Sequence, residues 1–380
     1  MDRRTFLKSG TVGAMAAATG LGTASYSENT VEQAVSTSDI VYRTLGRTKL
    51  KVSVVGVGAM RTSEPAVLQA TFDKGVNYLD TAHCYMNGNN ERIVGRALKG
   101  YRDKVILATK VHIGSKDEMI NSVNDSLKSL QTDHIDIIQL HSMSSKTQGH
   151  ESETKEALAE LKKQGKVRFT GVTTHKNEVD VINGVVEDED KFYDMVLVAY
   201  NFKSSDELKQ SIERAAKAKI GIVGMKTQAG GYKTKELGDI SPHQASLKWV
   251  LQDTNVHTTI PSMVNLEQIK EDTEVMSLMK LTSTDKQILY KYGKAIEPYY
   301  CHRCGDCEST CPMGIDICDI NRCLMYAEGY GDVELAKSNY TNIPSKYSAS
   351  VCGDCEECVA MCPKGLNIPS KMKQARILFS

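Results

Sequence analysis

The chain has 380 residues, 41% of them hydrophobic and 25% charged, the balance of a water-soluble protein too long for one small core. Its 47 basic and 47 acidic residues cancel to a net charge of zero, which removes any bulk electrostatic reason to hold nucleic acid or an anionic membrane. No stretch supplies the roughly 20 strongly apolar residues that a bilayer span needs, so an integral membrane protein is not expected.

Residues 1–40 are read as a signal and tether. Asp2-Arg3-Arg4-Thr5-Phe6-Leu7-Lys8 precedes a short, mildly apolar run from Ser9 to Ser25, and Gly22-Thr23-Ala24 offers small residues for cleavage. This resembles the twin-arginine signal, whose route carries proteins already folded around a cofactor. It implies export to the periplasm or cell envelope.

From 41 to 290 short apolar strands alternate with amphipathic segments. The strands are Val52–Val57, Tyr78–Asp80, Val105–Lys110, Ile135–His141, Phe169–Thr173, Met195–Tyr200, Ile220–Met225 and Thr258–Pro261. Between them, Asp117–Leu130 places Ile120, Val123, Leu127 and Leu130 on one helical face, and Glu156–Gln164 does the same with Leu158 and Leu161. The fold class this predicts is α/β, a (β/α)8 TIM barrel. Polar residues at the carboxyl ends of such strands meet at one mouth. Asp80, Tyr85, Lys110 and His141 stand there. A lysine beside a phenol lowers its pKa, an aspartate anchors the lysine, and a histidine orients a carbonyl oxygen to which the phenol donates a proton.

The stretch Tyr78-Leu79-Asp80-Thr81-Ala82-His83-Cys84-Tyr85 resembles the signature of the aldo-keto reductase family. Asn90 to Leu98, Val105 to Lys110 (VILATK), Asp136 to His141 (DIIQLH), Gly165 to Thr174 and Ile260-Pro261-Ser262 follow in the family's order. The resemblance covers residues 41 to about 280. It implies a nicotinamide cofactor, usually NADPH, across the barrel mouth, touching Thr173, Thr174, His175, Tyr200, Met225, Ser262, Gln268 and Asp272. His175 stands where many relatives have asparagine, and Met225 where many have an aromatic ring. Gln268 replaces a common arginine and Asp272 a common asparagine, so NAD stands beside NADP as the expected cofactor.

The last segment, 291–380, holds ten of the eleven cysteines. Eight form two identical runs, Cys301-x2-Cys304-x2-Cys307-x3-Cys311-Pro and Cys352-x2-Cys355-x2-Cys358-x3-Cys362-Pro, set 51 residues apart from Cys301 to Cys352. Such spacing suits two [4Fe-4S] clusters, each held by four thiolates; zinc, which favours paired C-x2-C with a longer gap, is the alternative. In two-cluster ferredoxins the fourth cysteine serves the other cluster. That groups Cys301, Cys304 and Cys307 with Cys362, and Cys352, Cys355 and Cys358 with Cys311. Ile320, Leu324 and Ala327 share a face in the intervening 40 residues, so the module resembles small, mainly α-helical ferredoxin domains. Cys84, Cys318 and Cys323 are read as reduced core cysteines.

Together these features predict an oxidoreductase that interconverts a small carbonyl compound and its alcohol. The two clusters would relay electrons to a redox partner protein or a quinone-linked acceptor. The alternative is an iron–sulfur electron carrier or binding subunit whose barrel is not catalytic.

Overall fold

The computed structural model describes residues 40–232, 237, 241–355 and 357–379. The expected signal therefore lies outside the described residues, and of the expected tether only Ile40 lies inside them. The chain opens with an antiparallel hairpin, β1 (Tyr42–Thr44) and β2 (Lys51–Ser53). An eight-stranded parallel sheet follows: β3 (Val57–Gly58), β4 (Tyr78–Asp80), β5 (Ile106–Val111), β6 (Ile135–Met143), β7 (Val167–Thr174), β8 (Met195–Ala199), β9 (Gly221–Met225) and β10 (Thr258–Thr259). Each strand pairs with the next in sequence, and a parallel bridge from Val55 to Thr259 joins last to first. The sheet is a barrel.

The expected first strand, Val52–Val57, is split. Its beginning belongs to the hairpin, and only Val57–Gly58 continues into the barrel. The reason is steric. A Cβ at Gly56 would lie 2.9 Å from the Tyr78 carbonyl oxygen and one at Gly58 2.8 Å from that of Ile260, so the backbone runs too close to its neighbours for a regular alternating strand.

Helices α1 (Pro65–Asp73), α2 (Asn89–Leu98), α3 (Lys116–Leu130), α4 (Ser152–Lys163), α5 (Glu178–Val186), α6 (Asp206–Lys217), α7 (Pro242–Gln252) and α8 (Leu266–Glu274) connect and surround the strands. The predicted apolar faces hold: Val123, Leu127 and Leu130 of α3 and Leu158 and Leu161 of α4 are buried. A capping box, Ser115 with Glu118, starts α3 one residue before the expected position. Leu45, Tyr78, Ala108, Ile137, Met195, Leu197 and Val223 fill the barrel interior. The larger apolar layer lies between strands and helices.

Helix α9 spans Ser283–Ile296, so the expected domain boundary at 290 falls within it. Beyond lie α10 (Ile317–Glu328), α11 (Val333–Tyr340), α12 (Ile368–Phe379) and short 3-10 turns, with no strand among the described residues. Ile315, Ile317, Ile320, Leu324, Leu366, Ile368 and Met372 form this module's own core. It docks over the barrel mouth. Met325 and Tyr326 of α10 pack with Ala229, Tyr232, Tyr292 and Ile296, and Lys176 pairs with Glu308. At Gly329, a Cβ would meet the Gly230 carbonyl oxygen at 2.0 Å, so only glycine permits this approach.

Candidate active site and cysteine clusters

The strand ends bring all four predicted polar residues to one place. Asp80 ends β4, Lys110 lies near the end of β5 and His141 on β6. Tyr85 begins a 3-10 turn just past β4. Lys110 and Asp80 are each 2% exposed and form an ion pair. The Lys110 ammonium also donates to the Thr81 carbonyl at 2.6 Å and to the Tyr85 hydroxyl at 3.2 Å. Gln139, two residues before His141 on the same strand, donates to the other Asp80 oxygen at 2.8 Å. The Tyr85 and His141 rings meet edge-on, 5.9 Å between centroids.

Charge balance at Tyr85 differs from the expectation. Burial pushes its phenol pKa well above the ordinary value, and the Asp80 carboxylate adds to the rise. Lys110, expected to lower that pKa, lies 3.2 Å from the hydroxyl, but burial and Asp80 outweigh it. The phenol is held neutral, the form that donates a proton. His141 moves the other way: burial, then Lys110, hold its imidazole neutral well below the ordinary range.

A cavity of about 1240 Å³ opens over this group, lined by barrel mouth and module together. Of the expected cofactor residues, His175, Met225, Ser262, Gln268 and Asp272 line it. Thr173, Thr174 and Tyr200 do not. The Thr173 hydroxyl accepts from the Ser142 amide at 2.8 Å, and that of Thr174 donates to the Lys176 carbonyl at 2.8 Å. Tyr200 is turned away toward Trp249 and donates its hydroxyl to Asp253 at 3.1 Å. Asp272 is not the bare repelling charge its sequence position suggests. Burial raises its pKa to about 7, and Gln228 donates to it at 3.2 Å.

Sequence reasoning missed several cavity residues. Cys84 is exposed at the mouth, not in the core, and His112 stands two residues beyond Lys110. Both were legible as neighbours of the motifs. Others come from the module: Arg322 and Tyr326 reach the cavity from α10, 181 and 185 residues beyond His141 in the chain, with no local signal to place them. Tyr326 lies 3.4 Å from the Lys226 ammonium and 3.4 Å from an Arg322 nitrogen. Those cations lower its pKa against the opposing effect of burial. Lys226 follows β9 in the left-handed backbone region (φ 51°), a conformation that costs a lysine about 1 kcal/mol or more.

The structure brings several of the C-terminal cysteines together. Cys311, Cys352, Cys355 and Cys358 line a second cavity of about 270 Å³, walled by Ile315, Ile317, Ile368 and Met372. In the other group Cys307 has Cys362 as an electrostatic neighbour, and the Cys318 thiol contacts both Cys301 and Cys307. Cys318, expected in the core, is buried but sits against this group. Among the described residues none of these cysteines joins a trio with donor atoms within 4.8 Å of one another. Four thiols around one apolar-walled cavity form a donor set that suits a thiolate-held metal or iron–sulfur core.

Residues 56–239 match the family model described as "Aldo/keto reductase family". An "Uncharacterized oxidoreductase YqkF" of Bacillus subtilis (strain 168) is 27% identical over 311 residues, covering 69% of this chain and 99% of that protein. The "L-galactose dehydrogenase" of Arabidopsis thaliana is 25% identical, covering 68% of this chain and 95% of that protein. Among solved structures, aldo-keto reductase AKR11C1 from Bacillus halodurans (holo form) superposes with a TM-score of 0.57 at 26% identity, covering 66% of this chain and 96% of that one. These relatives are matched almost whole, while about a third of this chain lies outside each match.

Proposed function

The likenesses support the aldo/keto reductase family for this chain, and from that premise we propose that it interconverts a small carbonyl compound and its alcohol. A nicotinamide cofactor, NADP or NAD, would lie along the wall of His175, Met225, Ser262, Gln268 and Asp272 and supply or accept hydride. The observation that carries the proposal is the Tyr85 hydroxyl 3.2 Å from the Lys110 ammonium, under an open cavity. Tyr85 donates the proton to the carbonyl oxygen. Lys110, fixed by Asp80 and the Thr81 carbonyl, holds the phenol in position and offsets negative charge as the proton leaves. His141, kept neutral, orients the oxygen. Gln139 and Asp80 keep the lysine from swinging out.

The two cysteine groups are proposed to hold [4Fe-4S] clusters: Cys301, Cys304, Cys307 and Cys362 one, and Cys311, Cys352, Cys355 and Cys358 the other. Such clusters accept and pass single electrons, here toward an external redox partner. The four-cysteine cavity supports this assignment. The paired arginines of the N-terminus support export to the periplasm or envelope with the clusters already in place.

Anaerobically purified protein should carry about eight irons, and should consume NADPH or NADH with a panel of small aldehydes and ketones. Tyr85→Phe should lower kcat by about a hundredfold or more with iron content unchanged. If Tyr85→Phe keeps full activity, or the wild type reduces no carbonyl with either cofactor, the barrel is not the enzyme proposed and the electron-carrier reading takes its place.

A further inference from the structure

Two side chains at the mouth, Cys84 and His112, carry chemistry that the carbonyl reaction does not use, and both stand beside His141. Cys84 precedes Tyr85, His112 follows β5, and His141 sits on β6. One donor atom from each lies within 4.8 Å of the others. The Cys84 sulfur is 3.5 Å from His141 Nδ1. The His112 and His141 rings are 4.8 Å apart at 32°. All three line the same large cavity, and Cys84 and His112 are open to it.

These distances have a chemical meaning. A tetrahedral zinc with Zn–S near 2.3 Å and Zn–N near 2.0 Å sets sulfur and nitrogen about 3.5 Å apart and two nitrogens about 3.3 Å apart. The Cys84–His141 edge already has that length. The His112 nitrogen needs a shift of at most about 1.5 Å, within reach of a rotation of an exposed side chain. One thiolate and two imidazoles are borderline-soft donors that favour zinc or cobalt over magnesium or calcium, which require oxygen. Lys110 is paired with Asp80, and Arg322 of α10 also faces the cavity, so the three donors must hold the ion against nearby positive charge.

We propose that Cys84, His112 and His141 form a site for one divalent transition-metal ion of the zinc class, with its fourth position facing the cavity. The ion occupies the mouth beside Tyr85 and ties down His141. If the carbonyl chemistry proposed above is correct, on which only this consequence rests, metal binding switches it off reversibly.

The test uses the full chain with its iron in place, kept anaerobic and titrated with zinc sulfate. Zinc K-edge absorption spectroscopy should show a first shell of one sulfur and two nitrogens, with about one ion bound per chain. Cys84→Ser and His112→Ala should each weaken binding by about a hundredfold or more. A first shell of several sulfurs places the ion on C-terminal cysteines and overturns the proposal. So does the absence of stoichiometric binding, or binding that both variants leave untouched. The site and the enzyme reading fail separately. A one-sulfur, two-nitrogen site on a chain that reduces no carbonyl keeps the site and rejects the reading. Carbonyl reduction insensitive to zinc, with no such shell, does the reverse.

Discussion

Asp80 shows how a few buried atoms serve both stability and chemistry. Its carboxylate is 2% exposed; burial raises its pKa, and Lys110 and Gln139 counter that rise. Removing the lysine leaves a buried charge with one amide partner, and such breaks cost about 3–5 kcal/mol. Lys110→Met should therefore lose both activity and stability. Asp80→Asn added to it should restore most of the stability, measured by denaturant unfolding, and none of the turnover. Asp272 offers a pH test. Its folded pKa of about 7 lies above the ordinary 3.8. A raised carboxyl pKa costs nothing below about pH 4, where folded and unfolded forms are both protonated, and its cost grows as pH rises toward 7. Asp272→Asn should therefore stabilise the ligand-free protein by a few kcal/mol at pH 7.5, with a gain that fades as pH falls to 4. The Asp80, Tyr85, Lys110 and His141 group was legible because each residue sits on a strand end within a local motif. The electrostatic balance at Tyr85 was not, because it depends on how deeply the folded chain buries the phenol.

Periodicity located the elements well wherever one face is buried. The expected strands Tyr78–Asp80 and Ile135–His141 and the expected helix Asp117–Leu130, read from apolar spacing, lie within the observed Tyr78–Asp80, Ile135–Met143 and Lys116–Leu130. The hairpin was invisible, since Val52 to Val57 reads as one apolar run and only close approach at Gly56 and Gly58 breaks it. Tyr200 illustrates another limit: at a strand end the pattern does not say which way a side chain turns, and this one turns to Asp253. Helix α10 carries a prediction of its own. Its end meets the barrel at Gly329, where no Cβ fits against Gly230. Gly329→Ala should push the helix off the mouth. We expect faster proteolysis in the segment after Ile296 and a raised KM, with a smaller change in kcat because Tyr85 and Lys110 belong to the barrel.

From Ile40 onward the described residues form a barrel with a roof. The repeated cysteine runs marked the second part in the sequence as a separate module, but the individual residues through which it meets the barrel had no local signal. Contacts of that kind join residues far apart in the chain, such as Arg61 with Asp332 and Asn201 with Tyr300. They depend on tertiary fit and leave no periodic trace. This architecture changes how a demetallation experiment is to be interpreted. If the roof holds iron as proposed, it would sag once the iron is withdrawn, and Tyr326 and Arg322 would leave with it. Silence in a stripped preparation would then follow from lost shelter alone, without any current ever having run between the two halves.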